Sequence, residues 1–307
     1  MKHLALLILL IFISNLSNAQ PRKEDKKNKD GQNAAHFHHV HLNVTNPETT
    51  LDFYDKFFGA NRISYRGKSK ALFTERSFIL LDSVKVKPSS NLGSSLWHIG
   101  WAGVDGYSEF QWRVEEGVEV QTPLTKFIPD PSRPQDTTHY MYFWGPDREL
   151  IEIYTGSRNH RFEHVHLLAT NIEKTTSWFK DHLGLTPFFE KAISFYGMLL
   201  NIIRVDNVNI IIFAKPSPDA EIAALPNEVW PKEGFKATEG TAIDHIGFSY
   251  ASIEPILTRM KSSGLLIVRD IKTDTKHGLT GFFVRGPDSL LIEIVKEKPV
   301  PEGVWSK

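Results

Sequence analysis

The sequence predicts an α+β fold with two domains, each built of two βαβββ units that form a cupped mixed β-sheet with helices outside. Three repeated motifs support this prediction. FHHVHLNVTN (37–46) matches FEHVHLLATN (162–171) at seven of ten positions, HIGW (98–101) returns as HIGF (245–248), and GPDRELIEI (145–153) returns as GPDSLLIEI (286–294). Repeats of this size mark equivalent positions along a chain, so we infer a duplication.

Each long repeat begins with a strand and continues into a helix. The alternation in HHVHLNV predicts the strand. Asn46 is a good helix N-cap, Pro47 suits the first helical position and Gly59 supplies a left-handed stop. The buried side of this helix is predicted to hold Leu51, Phe53, Tyr54, Phe57 and Phe58. In the second copy, Asn171 is the cap and Gly184 the stop.

Further strands follow each helix. They are predicted at Ala71–Phe73, Ser77–Leu81, Leu199–Val205 and Val208–Phe213. A shorter form of the unit starts at each HIG motif, with a helix at Ser108–Glu116 or Ile253–Ser262 and a glycine stop. The two domains are therefore expected at residues 36–156 and 161–296, followed by a C-terminal tail at 297–307.

The N-terminus differs from the rest of the chain. Lys2 and His3 precede the apolar run Leu4–Ile13, and small residues lead up to Ala19. This pattern is typical of a secretory signal peptide (1–19), which export would remove. Residues 20–35 are mostly polar and are expected to form a disordered tether. The predicted compartment is therefore the periplasm or the cell exterior.

Composition excludes several classes of partner. Lys+Arg and Asp+Glu balance at 36 each, so the net charge gives no reason to expect nucleic acid. No stretch approaches the roughly 20 apolar residues of a transmembrane helix, and no membrane is expected. With no cysteine, the chain forms no disulfide. We expect a monomer or homodimer that binds a small molecule.

The repeats also repeat histidine, histidine and glutamate. His39 and His41 point to one side of their strand, as do His164 and His166 in the second copy. Glu152 lies in LIEI with aliphatic residues on both sides, as does the equivalent glutamate of the second copy. A buried carboxylate of this kind needs a cation, either a metal ion or an arginine. Two imidazoles and a carboxylate would leave several coordination positions open on a divalent metal.

The paired units and their motifs resemble the vicinal oxygen chelate superfamily. This superfamily includes lactoylglutathione lyase, extradiol catechol dioxygenases, methylmalonyl-CoA epimerase and the fosfomycin and bleomycin resistance proteins. The resemblance covers nearly all of the chain after the N-terminal segment. It implies two metal sets, the first being His39, His98 and Glu152, and the second His164, His245 and Glu293. The implied cofactor is a divalent metal, with Fe²⁺ favoured and Mn²⁺ or Zn²⁺ as alternatives.

Individual family members fit to different degrees. Lactoylglutathione lyase takes a fourth ligand, a glutamate, from the last strand of its first unit, whereas SFILLDS and VNIIIFA here are mainly aliphatic. Extradiol dioxygenases carry a histidine and a tyrosine before the glutamate. His277 stands 293 − 277 = 16 residues before its glutamate, but Phe283 replaces the tyrosine. In the first domain Tyr142 is in place, but His139 is too close to it. The resemblance thus implies a catalytic role for His277. His41 and His166 are further catalytic candidates, because each lies on the same side of its strand as a ligand and could support that ligand or act as an acid–base group.

Two functions remain open from the sequence. The first is an exported metal-dependent enzyme, dioxygenase-like or lyase- or isomerase-like, that acts on a small substrate with vicinal oxygens. The second is a non-catalytic binding or resistance-type protein. In that case a pocket would be lined by the aromatic residues Trp97, Trp101, Tyr140, Tyr142 and Trp144. Retention of the potential ligands in both copies favours the enzyme.

Overall fold

Four βαβββ units follow one another along the chain. The structure is a computed structural model that describes residues 34–128, 137–157, 160–214 and 229–299. The first unit comprises β1 (His36–Val44), α1 (Pro47–Phe58), β2 (Asn61–Tyr65), β3 (Ser69–Thr74) and β4 (Ser77–Ser83). The second comprises β5 (Leu96–Ala102), α2 (Gly106–Glu115), β6 (Val120–Phe127), β7 (Thr138–Trp144) and β8 (Leu150–Tyr154).

The second half of the chain repeats this order. The third unit comprises β9 (Arg161–Ala169), α3 (Ile172–Leu183), β10 (Ile193–Phe195), β11 (Met198–Val205) and β12 (Val208–Ala214). The fourth comprises β13 (Ile243–Tyr250), α4 (Glu254–Ser262), β14 (Ile267–Thr273), β15 (Thr280–Arg285) and β16 (Leu291–Lys296), with a short 3-10 helix at Pro287–Ser289. The predicted α+β class and the four units are confirmed.

The predicted helix caps are in place. Asn46 accepts hydrogen bonds from the backbone amides of Glu48 and Thr49, and Asn171 accepts one from Lys174. Gly59 and Gly184 end these helices with φ of 62° and 70°, in the left-handed region that favours glycine.

The units combine into two eight-stranded mixed sheets in a crossed manner. One sheet has the order β14-β15-β16-β13-β1-β4-β3-β2, and the other β10-β11-β12-β9-β5-β8-β7-β6. The first sheet, called sheet A, therefore joins the first and fourth units. Sheet B joins the second and third units. In each sheet the leading strands of the two units pair antiparallel at the centre, β1 with β13 and β5 with β9.

This pairing corrects the expected assignment of units to sheets. Residues 36–156 were expected to form one sheet and residues 161–296 the other, whereas each half contributes one unit to each sheet. The physical reason lies in the near-identity of the HIGW and HIGF strands. Either could supply the same central edge to β1, so the local pattern does not choose between them.

The largest apolar cluster of the described residues contains side chains from both sheets. Phe37 of β1 contacts both Phe162 of β9 and Phe248 of β13, with ring centroids 6.1 and 5.8 Å apart. Helix α1 packs against β2, β3 and β4 of sheet A, and it also contacts sheet B, where the indole of Trp101 donates a hydrogen bond of 3.1 Å to the carbonyl of Phe58. Trp101 alternates with His98 and Gly100 along β5, so the helices cover the sheet face opposite the histidines. The predicted role of Trp101 as a pocket residue is therefore wrong.

The predicted terminal segments lie largely outside the described residues. The structure does not describe the predicted signal peptide (1–19), most of the tether (20–35) or most of the C-terminal tail. Of the tether, Ala34 and Ala35 are described and are buried, and the amide of Ala35 donates to the carbonyl of Leu183 at 2.9 Å. Within the described ranges no helix has the length and apolar character needed to cross a membrane.

Candidate metal centres

Sheet A brings together one histidine from each central strand and the glutamate of β16. The Nε2 atoms of His39 and His245 are 3.3 Å apart. Both lie close to the same oxygen of Glu293, at 3.2 Å from His39 and 3.4 Å from His245. All three side chains are nearly inaccessible to solvent. These three residues are called site A.

Sheet B holds the corresponding set. The Nε2 atom of His98 lies 2.8 Å from Glu152 Oε2, and that of His164 lies 3.1 Å from the same oxygen. His166 adds a third imidazole, with its Nδ1 3.2 Å from Nε2 of His98. In this set of four, called site B, one ligand atom from each residue lies within 4.8 Å of the others.

The grouping implied by the resemblance is thus corrected. His39 lies with His245 and Glu293, not with His98 and Glu152, and His164 joins the latter pair. The cause is the crossed assembly of the sheets, in which β1 pairs with β13 and β9 with β5. All six predicted ligand positions still fall into two sets of two histidines and one glutamate.

The donor spacing fits a single divalent ion at site A. Ligand atoms about 2.1 Å from one ion lie about 3.0 Å apart in an octahedron and about 3.4 Å apart in a tetrahedron. The three distances in site A, 3.2, 3.3 and 3.4 Å, fall within this range. Three donor atoms that are all neighbours of one another occupy one triangular face around an ion. The coordination positions on the opposite side of the ion are then left open.

The neighbouring carboxylates fix the orientation of two imidazoles. Nδ1 of His245 lies 2.6 Å from Asp244 Oδ1, and Nδ1 of His164 lies 2.9 Å from Glu163 Oε2. His39 is held differently, because its Nδ1 lies 2.7 Å from Nδ1 of His38. Such partners set the tautomer and raise the basicity of a metal-binding histidine.

These partners were missed by the sequence interpretation, although a signal was available. His38, Glu163 and Asp244 each directly precede a predicted ligand. His38 in turn lies 2.9 Å from Glu297 Oε2, which also accepts a hydrogen bond of 2.6 Å from the hydroxyl of Tyr65. The first residue of the predicted C-terminal tail therefore supports the site.

Each site contains one histidine whose pKa is raised, and the pKa of every other histidine in the two sites is lowered. Burial alone would lower the pKa of His245, but hydrogen bonds to Asp244 and Glu293 raise it to about 9. Burial also acts to lower the pKa of His164, but hydrogen bonds to Glu152 and Glu163 raise it to about 9. Burial lowers the pKa of His39 well below its ordinary value. The two raised histidines carry a proton that a bound metal ion would displace.

Two glycines make room for the ligand histidines. Gly247 faces His39 across the β1–β13 pair, and Gly100 faces His164 across the β5–β9 pair. A Cβ on either glycine would lie 2.1 Å from the facing imidazole ring. The glycine at each of these positions therefore provides space for a protein side chain.

A cavity of about 410 Å³ opens beside site A. Site residues His245 and Glu293 line it, together with His41, Asp82 and His277. The two predicted catalytic histidines of this region are thus brought together, with ring centroids 5.6 Å apart. Asp82, which lies between them, was not predicted. Its position in the largely aliphatic stretch SFILLDS gave little indication of a role.

The walls of site B are aromatic at the matching positions. The ring of Phe213 lies 4.4 Å from that of His166, and the ring of Tyr142 lies 5.1 Å from that of His98. Phe213 occupies the position in sheet B that Asp82 occupies in sheet A. Each lies two residues after the residue that pairs with the second histidine of its motif, His41 in sheet A and His166 in sheet B. Trp97 stacks on Tyr142 at 5.9 Å. Site B is therefore enclosed by apolar rings, whereas site A faces a polar cavity.

Comparison with known proteins agrees with the fold. Residues 161–294 match the family model described as the Glyoxalase/Bleomycin resistance protein/Dioxygenase superfamily. The second half of the chain is therefore similar to this superfamily. The family match covers the third and fourth units, and the repeats extend the likeness to the first and second.

Solved structures with similar folds cover most of the chain. Glyoxalase I from Zea mays is 13% identical and covers 85% of this chain and 92% of its own, with a TM-score of 0.64. A putative dioxygenase from Bacillus subtilis subsp. subtilis str. 168 is 14% identical and covers 85% of each chain, with a TM-score of 0.55.

Proposed function

We propose that the protein is an exported enzyme that binds a divalent metal ion at site A and acts on a small substrate through two neighbouring oxygen atoms. The observation that carries the proposal is the convergence of three donor atoms within 3.2–3.4 Å at the wall of a 410 Å³ cavity. Fe²⁺ is the favoured ion, with Mn²⁺ or Zn²⁺ as alternatives, since all three accept imidazole and carboxylate ligands.

The residues at and beside site A would have different roles in metal binding and catalysis. His39, His245 and Glu293 would hold the ion, and Asp244 would keep the imidazole of His245 turned toward it. The ion would supply Lewis acidity or oxygen activation to a bound substrate. His277, at the cavity wall, is the candidate group for exchanging protons with that substrate.

The absence of a fourth protein ligand from β4 favours a dioxygenase-like reaction over a glyoxalase-like one. Leu80 pairs with His41 as Glu293 pairs with Gly247, so it stands at the position equivalent to the glutamate. Its side chain cannot coordinate a metal, which leaves more open positions for substrate. Phe283 at the cavity wall lacks the hydroxyl that a tyrosine would provide, so lyase- or isomerase-like chemistry stays open.

A binding function is the second candidate, and site B favours it. Its histidines are surrounded by the rings of Trp97, Tyr142 and Phe213, and the apolar cluster continues to Trp230. A flat aromatic ligand could be held there without any reaction. On the enzyme proposal, site B is instead a structural metal site whose fourth ligand is His166.

Export is part of the proposal and has its own test. Cleavage after Ala19 would leave Gln20 as the first residue of the mature protein. Mass spectrometry of the secreted or periplasmic fraction would identify that terminus. An intact Met1 in the soluble protein would contradict export.

The catalytic part is tested with protein purified without chelators and reloaded anaerobically with Fe²⁺. Turnover is measured on a panel of catechols and, separately, on a panel of hemithioacetals. His245→Ala is expected to abolish turnover, whereas the matched His98→Ala in site B retains it. Turnover of hemithioacetals only would replace the dioxygenase assignment by a glyoxalase-like one. No metal binding at either site would leave the binding function.

A further inference from the structure

A second group of potential metal ligands lies in the cavity beside site A. It consists of His41 on β1, Asp82 on β4 and His277 in the loop between β14 and β15, and one ligand atom from each lies within 4.8 Å of the others. Nε2 of His41 is 3.3 Å from Asp82 Oδ2, and Nε2 of His277 is 3.5 Å from Asp82 Oδ1. The carboxylate therefore stands between two imidazole nitrogens.

Both nitrogens are buried and lack a hydrogen-bond partner among the described residues. His41 is 6% exposed and His277 is 4% exposed, and neither Nε2 has hydrogen-bond geometry with a neighbour. The opposite nitrogen of His277 lies 2.8 Å from the hydroxyl of Ser69, which orients the ring so that Nε2 faces Asp82. A buried polar atom without a partner is unfavourable, and a cation between the three groups would satisfy both nitrogens.

The charge of the cavity also favours a cation. Apart from its histidines, its charged lining comprises five acidic residues, Asp82, Glu239, Asp244, Asp274 and Glu293, and one basic residue, Arg269. Within the described chain, Lys276 contacts Asp82 from the side, and its ammonium also donates to the carbonyl of Leu81 at 2.7 Å. The ammonium of Lys276 therefore already places one positive charge at Asp82, and a divalent cation would compete with this side chain, which is 44% exposed.

We propose that His41, Asp82 and His277 bind a second divalent cation next to site A. Two imidazoles and one carboxylate suit Zn²⁺, Fe²⁺ and similar ions better than Mg²⁺ or Ca²⁺, which prefer oxygen ligands. The two sites adjoin, because the ring of His41 stacks on that of His245 with centroids 4.5 Å apart and planes 23° from parallel. Two adjacent ions could each hold one oxygen of a substrate.

Among the residues that the structure describes, site B lacks the equivalent of this second site. There Phe213 stands in place of Asp82, and the ring of Phe213 lies 4.4 Å from that of His166. The proposal therefore concerns only sheet A, and sheet B provides an internal control. With this second ion bound, His277 would be its ligand in place of the proton-exchange role proposed above, since one Nε2 cannot both exchange protons and coordinate a metal. A purely acid–base role predicts instead that His277→Gln keeps the full number of ions.

The test counts Co²⁺ or Zn²⁺ ions bound per chain by calorimetry and elemental analysis. Asp82→Asn is expected to bind one ion fewer than the unmodified protein, and His277→Gln is the second variant. Glu293→Gln is the matched control for site A and is expected to lose a different single ion. Lys276→Met removes the competing ammonium and should tighten binding of the second ion by about two- to fivefold. Circular dichroism checks that each variant is folded.

The outcomes separate this proposal from the proposed function. If Glu293→Gln loses an ion while folded Asp82→Asn and His277→Gln keep the full number, the second site is refuted and site A stands. If Asp82→Asn loses an ion but Glu293→Gln does not, the second site stands and site A fails. An unchanged ion count in all the variants refutes both.

Discussion

The imidazole of His39 lies directly over the backbone of Gly247, and a Cβ added there would be 2.1 Å from the ring. These residues are 247 − 39 = 208 positions apart in the sequence, yet they pair across β1 and β13. The same relation joins His164 and Gly100 in the other sheet. Each site thus depends on a glycine contributed by the opposite half of the chain.

Gly247→Ala should displace His39 and abolish metal binding at site A. A contact of 2.1 Å cannot be relieved without moving the ring, because the new methyl group is fixed to the strand. Metal content per chain is the measurement. Gly100→Ala is the reciprocal control and should empty site B only. Full occupancy of site A in folded Gly247→Ala would contradict the account.

Asp244→Asn should weaken metal binding at site A by roughly 10- to 100-fold, the usual effect of losing such a partner. Its carboxylate lies 2.6 Å from Nδ1 of His245 and is a main cause of the raised pKa of that histidine. Competition with a chromophoric chelator measures the affinity. Glu163→Gln serves as the control, since it should weaken site B alone. Equal weakening of both sites by either variant would point to a general loss of structure.

A pH dependence of stability is expected from Glu149, away from both sites. Burial raises its pKa to about 7, although the hydroxyl of Tyr54 donates a 3.0 Å hydrogen bond to it. Because the folded-state pKa lies above the unfolded value of 4.5, its contribution to stability is present below pH 4.5 and is lost as the pH rises through 7. The loss is on the order of 3 kcal/mol.

Glu149→Gln should remove this part of the pH dependence. The free energy of unfolding is measured by denaturant at pH 5 and pH 8, and the difference between the two values is compared with that of the unmodified protein. The equivalent positions in the other half, Phe179 and Leu290, are apolar, so Tyr54→Phe with Glu149→Leu is a natural second comparison. An unchanged difference in both variants would show that Glu149 is ionised throughout.

The sequence was sufficient for the units but not for their pairing. Strand alternation, the Asn46 and Asn171 caps and the glycine stops are local signals, and the structure confirms the elements that they predict. Which strand pairs with β1 at the centre of the sheet depends on tertiary structure. HIGW and HIGF offer β1 nearly the same edge, so no local pattern identifies β13 as its partner.

The site could be predicted in its residue types but not in its grouping. The two glutamates stand out because a carboxylate between aliphatic residues needs a partner. Asp82 did not stand out, since its position near the end of an aliphatic strand is also typical of an exposed residue. Only the fold brings it between His41 and His277. The roles of these residues as metal ligands and catalysts stay predictions.

The central claim is that each metal site draws its ligands from both halves of the chain, and ion counts in two double variants test it most directly. His39→Ala with Glu293→Gln removes two ligands of one site, so the account predicts the loss of the one site A ion. His39→Ala with Glu152→Gln removes one ligand from each site, so it predicts the loss of two ions. The reverse result, two ions lost in the first double variant and one in the second, would contradict the crossed assembly and support sites built within each half.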